Sequence, residues 1–253
     1  MKDLTHFLGT AIAVAGLCAA QGVTAAPLNL ADGDRITLDW GSPSFGHDFG
    51  GGEFVAKGVG ALSTKDSFLT FCIEFPEHIS LSTPYYVKIN TGAVNGGYSN
   101  APTYPGDTPG STNFDPLSNA SAWLYTQFRT NPTALNRPSD PWANNDAHAN
   151  SLQLAFWKLE NELSGSSLAA YNADARAQDW VAAAIGASWT NIHNVRVLNL
   201  YDTYNATTHV FSGNHQDQLY LAPVPEPETY AMLLAGLGLM GFVVRRRRQG
   251  KAA

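Results

Sequence analysis

The chain has 253 residues, 44% of them hydrophobic and 14% charged, with a formal net charge of −6. Its apolar content excludes intrinsic disorder, which needs few hydrophobic residues and a high net charge. The 23 Gly and 14 Pro exclude a coiled coil, and the acidic balance disfavours nucleic acid, whose phosphates require a basic face.

The amino terminus reads as an export signal. After Lys2, residues 7–20 are almost continuously apolar yet too short to cross a bilayer, and Val23-Thr24-Ala25-Ala26 follows. Residues 1–25 are expected to be a signal peptide, cleaved after Ala25 because Pro27 disfavours cleavage one residue later.

The mature region, 26–222, begins with a β texture between Arg35 and Asn90. Ile36 to Trp40 alternates, Ser67 to Phe75 is rich in aromatic and branched residues, and Tyr85 to Ile89 alternates again, with Gly50-Gly51-Gly52 between strands. Residues 92–116 form a Gly/Pro/Asn-rich stretch expected to be a long loop. Asp115-Pro116 then opens a helical segment in which Ala120, Trp123, Leu124, Gln127 and Phe128 recur at helical spacing. Asp146 is placed to cap a helix from Ala147 to Leu163, and Arg176 to Ile185 predicts another. Asn194 to Tyr201 and Gln218 to Ala222 return to strands. Strands, helices, then strands predict one α+β domain, a sheet or sandwich-like framework with an inserted helical segment. Trp40, Trp123, Trp157, Trp180 and Trp189 fall in regular segments and read as core.

The last segment, 223–253, has three parts. Val224-Pro225-Glu226-Pro227-Glu228 is hostile to helix. Residues 230–244 are apolar, and Arg245-Arg246-Arg247-Arg248 follow at once. Fifteen helical residues reach only about 22 Å against a hydrocarbon core of roughly 30 Å, and the arginines would stay cytoplasmic. A transmembrane helix over 230–244 therefore suits a transient hold on the inner membrane.

This arrangement of Pro225-Glu226-Pro227, hydrophobic helix and basic cluster resembles the PEP-CTERM sorting signal of Gram-negative bacteria. The resemblance implies removal of the tail by an exosortase, a membrane protease. It also implies delivery to the cell surface or extracellular matrix, in hosts that commonly make exopolysaccharide. It supplies an address rather than an activity. Between the two ends remain nine basic and eighteen acidic residues, a net charge of −9 that disfavours anionic partners.

Cys18 leaves with the signal peptide, so the mature region keeps only Cys72. A single thiol in an oxidising compartment is a buried inert group, a nucleophile, or an intermolecular cross-link. Alternation would set Phe71, Ile73 and Phe75 on one strand face, with Cys72 and Glu74 on the other. On the long helix, Leu152, Phe156, Leu159 and Leu163 make the core stripe, and Gln153 lies beside it with Phe156, Trp157 and Glu160.

Phe71-Cys72-Ile73-Glu74, then Ala122-Trp123-Leu124-Tyr125, then Leu152-Gln153-Leu154-Ala155-Phe156-Trp157 are similar, in order, to the motifs of thioester domains in bacterial surface adhesins. Leu152 departs from that pattern, which has Thr or Ser before the Gln. The resemblance implies that the Cys72 thiolate attacks the Gln153 carboxamide, expels ammonia and leaves an internal thioester. An amine-bearing surface partner would then take the acyl group and become covalently attached, as in an adhesin, without turnover. Phe71, Phe75, Phe156 and Trp157 are candidate water shields, and Glu74 or His148 a candidate proton carrier.

Two other readings stand beside this one. In a non-catalytic exopolysaccharide or biofilm-matrix protein, Cys72 would simply be core. A Cys-dependent hydrolase would pair Cys72 with His148 or His193, but no family signature surrounds either. His47, His78, His193, His209 and His215 lack zinc spacing, so neither metal nor cofactor is expected. Asp32-Gly33-Asp34 reads as a turn, and Gly50-Gly51-Gly52 precedes a strand rather than the helix that a phosphate cradle opens. Deleting residues 230–248 is expected to release or misroute the protein; fractionation of cells for surface-displayed against secreted protein checks this, and unchanged display would overturn it.

Overall fold

The computed structural model describes residues 28–41, 49, 51–94, 111, 113–223, 233–237 and 240. The expected signal peptide (1–25), Pro225-Glu226-Pro227, Arg245 to Arg248 and most of the 92–116 segment lie outside the described residues.

β1 (Arg35–Trp40) forms because its alternating residues bury Ile36 and Leu38 completely while Thr37 and Asp39 face outward. It pairs antiparallel with β2 (Phe54–Gly58), which pairs with β3 (Phe68–Thr70). On the other side β1 meets β4 (Tyr85–Asn90). Asp32-Gly33 makes the expected turn before β1, where Asp34 N–H donates to the Ala31 carbonyl and Gly33 adopts φ 87°.

The 92–116 segment is not loop throughout. Its ends pair as β5 (Gly92–Val94) and β6 (Phe114–Pro116), a small second sheet. A β-carbon on Gly92 would overlap the Asp115 carbonyl, so this pairing requires glycine there. Asp115-Pro116 therefore ends a strand instead of opening a helix.

The first helix, α1 (Asn119–Thr130), starts at Ser118, whose hydroxyl accepts from the Ser121 N–H. In α2 (Asp146–Leu159) the cap is Asn145, one residue before the expected Asp146, and the helix stops at Glu160 short of Leu163. α3 (Gly165–Ala173) was not anticipated. It opens on a Ser164/Ser167 capping box in a Ser/Gly-rich run whose composition reads as loop. Asp174 caps α4 (Ala175–Gly186) by accepting from the Arg176 and Ala177 N–H groups.

β7 (Val195–Asn205) and β8 (Val210–Leu221) close the chain as a long hairpin, reaching well past the expected Asn194–Tyr201 and Gln218–Ala222. The fold is α+β, with an open antiparallel six-stranded sheet in the order β3-β2-β1-β4-β7-β8. Trp157 and Trp180 are core as expected, whereas Trp40, Trp123 and Trp189 are partly buried against it.

The centre of the core is α2, buried without interruption from Ser151 to Trp157. A helix covered on every side belongs to the interior rather than to a solvated layer. Phe156 packs on Phe71 at 5.1 Å between ring centroids and edge-on to Tyr125 at 6.2 Å, joining sheet, α1 and α2. Among the described residues no helix is long and apolar enough to cross a membrane. Residues 233–237 and 240 are helical, with Leu233, Leu234, Leu237 and Met240 exposed, and the rest of the helix expected over 230–244 lies outside the described residues. Phe156→Ala should lower the unfolding free energy by about 3–5 kcal/mol, measured by guanidinium denaturation.

Candidate functional site

The two edges of the open sheet are tied together just past β3. The expected strand from Ser67 to Phe75 ends at Thr70. There the backbone leaves β2 and bonds to β8: Leu219 N–H donates to the Phe71 carbonyl at 3.0 Å and Ile73 N–H to the Asp217 carbonyl at 3.2 Å. Cys72 and Gln218 face one another as a single-residue bridge at this seam. Thr70 Oγ1 adds a 2.6 Å bond to the Leu219 carbonyl. The expected alternation of faces fails here, since every residue from Thr70 to Glu74 is buried. One side of the seam packs on α2 and the other continues the sheet, so neither face meets solvent.

Gln153 projects from α2 onto this seam. Its Oε1 accepts from the Cys72 N–H at 3.1 Å and the Gly52 N–H at 3.0 Å, while its Nε2 donates to the Cys72 carbonyl at 2.8 Å. The carboxamide thus bridges the peptide groups of Cys72 and Gly52, with Gln153 only 2% exposed and Cys72 fully buried. Two backbone N–H groups converging on one carbonyl oxygen form the arrangement that stabilises negative charge developing on it. Sequence reasoning paired the Cys72 thiol with the Gln153 carboxamide; in the structure the carboxamide meets the backbone of Cys72, while the thiol meets Gln218.

The glycine turn makes this approach possible. A β-carbon on Gly51 would overlap the Trp157 ring and come within 2.7 Å of Gln153 Cγ. Gly52 adopts φ 134°, a conformation that side chains disfavour, and thereby turns its N–H toward Gln153. Trp157 lies one helical turn from Gln153 and packs edge-on to Phe75 at 4.9 Å. Phe71 packs on Phe156 and on Phe128, the latter at 5.2 Å. All four proposed shields are at the site: Phe71, Phe156 and Trp157 are buried and Phe75 is partly buried.

Burial pushes the Cys72 thiol up to about 12, opposed by the Gln218 amide, which donates to Sγ at 3.6 Å. At neutral pH the thiol therefore keeps its proton, and any attack by sulfur must release that proton as the new bond forms.

Glu74 is 2% exposed and leads into an acidic cluster. Burial, followed by Glu162, Asp217, Glu77 and Asp115, raises its carboxyl to about 10. Burial likewise raises Glu77 to about 7 and Asp217 well above the carboxylate range. His148, by contrast, is not brought to the site. Five residues before Gln153, it points about 140° away around the helix. There it bonds Asn145 at 2.9 Å, approaches Asp140 at 3.3 Å and packs on Trp142 and Trp180. Desolvation lowers its pKa, partly countered by Asp140, which suits a neutral structural imidazole.

Sequence reasoning missed Gly52, Gln216 and Gln218. Gly50 to Gly52 were read as a break between strands and set aside as a phosphate cradle, whereas Gly52 serves a buried carboxamide. Gln216 donates from its side chain to the Glu74 carbonyl at 3.1 Å, holding the segment after Cys72 against β8. The available signal was His215-Gln216-Asp217-Gln218, a polar run directly before Leu219-Tyr220-Leu221 in one strand. Polar side chains entering a buried strand need partners there.

Comparison with protein families finds the PEP-CTERM protein-sorting motif at residues 223–248. That motif marks the chain as an exported surface protein sorted by an exosortase. No curated protein matches the chain.

Gly51→Ala should force Trp157 from its position and cost about 1–3 kcal/mol as an overpacked core site. A lowered thermal midpoint would check this, and an unchanged midpoint would show that the turn yields freely.

Proposed function

We propose that the mature domain forms a thioester between Cys72 Sγ and Gln153 Cδ and uses it for covalent attachment to amine-bearing partners at the cell surface. The observation that carries this reading is the pair of N–H groups, from Cys72 and Gly52, on the Gln153 carbonyl oxygen. Attack of sulfur on Cδ pushes electrons onto Oε1, where those donors await the charge. The C–N bond then breaks. The nitrogen leaves as ammonia, taking up the thiol proton that the raised pKa keeps on sulfur. Gln218 Nε2, bonded to Sγ, supports the sulfur as that proton departs.

A partner amine attacks the same carbon in the second step. It becomes amide-linked to the Gln153 acyl group, and the thiolate of Cys72 regains a proton. The same two N–H groups serve both steps. Phe71, Phe156 and Trp157 keep water from the acyl carbon, which lets an activated ester persist. The domain acts once per chain, without turnover. His148 has no part, since it faces away around α2.

A second reading is favoured by the same bonds in a different sense. Gln153 satisfies two backbone donors and one acceptor in a dry core. It would then be a structural clamp in a non-catalytic matrix-associated protein, with Cys72 as inert core. Intact-mass measurement separates the two. The thioester gives a mass short by one ammonia, then addition of one methylamine on treatment, both abolished in Cys72→Ala and in Gln153→Ala. Because Gln153 bonds only the backbone of residue 72, Cys72→Ala preserves the clamp and isolates the chemistry. The full sequence mass and no methylamine adduct would overturn the thioester and leave the clamp.

A further inference from the structure

We infer that Glu74, Asp115 and Glu162 form a binding site for a hard divalent cation of the Ca²⁺ class. Three distant stretches supply the oxygens: the segment just past the seam, strand β6, and the turn after α2. One carboxylate oxygen from each lies within 4.8 Å of the others. Two Ca–O bonds of 2.3–2.6 Å set opposite ligands roughly 4.6–5.2 Å apart, so these oxygens fit around one ion. Carboxylate oxygens are the hard ligands such cations select.

A second observation points into the cluster. Glu74 is 2% exposed, yet its Oε2 has no hydrogen-bond partner among the described residues. Asp217, fully buried beside it, likewise leaves Oδ1 without one among those residues. A buried carboxylate oxygen without a donor is costly, and the cost grows when its neighbours share its sign. The charged groups that act most on Glu74 are Glu162, Asp217, Glu77 and Asp115, all acids. A cation would supply the missing charge and fill the open coordination at once. The local bonds already orient the set: Phe75 N–H donates to Glu162 Oε2 at 3.2 Å, Val94 N–H to Asp217 Oδ2 at 2.7 Å, and Asn214 to Glu77.

The ion would pin the residues after Cys72 to β6 and to the end of α2, bracing the seam. This site does not depend on a thioester. The purified protein, stripped with chelator, is titrated with Ca²⁺ alone by calorimetry and by thermal unfolding. Expected are one ion per chain and a rise in thermal midpoint. Asp115→Asn and Glu162→Gln, which keep shape and remove charge, should weaken affinity roughly tenfold or more. Each should also leave the metal-free protein no less stable, since like-charge repulsion is relieved. Cys72→Ala should bind Ca²⁺ as the parent does, separating this outcome from the fate of the thioester. No heat and no shift with millimolar Ca²⁺, or undiminished binding in both variants, would overturn the site and leave a set of buried carboxylic acids sharing protons.

Discussion

The carboxamide of Gln153 is the joint on which this structure turns. It is a helix side chain bonded to main-chain groups from two separate segments, at Cys72 and at Gly52. Without it, two buried N–H groups and one carbonyl would lie unsatisfied between α2 and the sheet, at about 1–3 kcal/mol each. The need to satisfy them explains several neighbours together. Gly52 must be glycine to turn its N–H inward, Gly51 must be bare to admit Trp157, and the run from Ser151 to Trp157 must be buried on every side.

Much of this was legible in the sequence. Strands β1 and β4 announced themselves by strict alternation, and α2 and α4 by their periodicity. Cys72 stood out as the only cysteine of the mature region, and Gln153 as a polar residue beside an apolar stripe. What remained hidden has definite causes. β3 stops early because the chain exchanges one strand partner for another at Phe71, and periodicity carries no information on partner choice. β5 and β6 are three residues each, held by a close approach at Gly92, and sit within composition that signals loop. Gln216 and Gln218 gain meaning only once β8 lies against residues 71–74, more than 140 positions earlier in the chain.

The interior holds two sets of polar groups. Around the seam are neutral groups: a carboxamide, a thiol and the aromatic rings. Close by are Glu74, Glu77, Glu162 and Asp217, in a region whose net charge is already −9. Polar residues at this density inside a domain seldom serve packing alone, because apolar residues of similar volume would fold at lower cost. The sorting motif at 223–248 supplies the setting, a surface outside the cytoplasm.

The seam has a consequence for how the domain is made. It joins residues 149 positions apart, Thr70 and Leu219, so it cannot form until both ends of the domain are present. An exported chain crosses the membrane amino end first, and β8 ends at Leu221, just ahead of the sorting motif. Cys72 therefore reaches the outside long before the strand that completes its surroundings. Completion of the core waits on that last strand, which directly precedes the sorting motif.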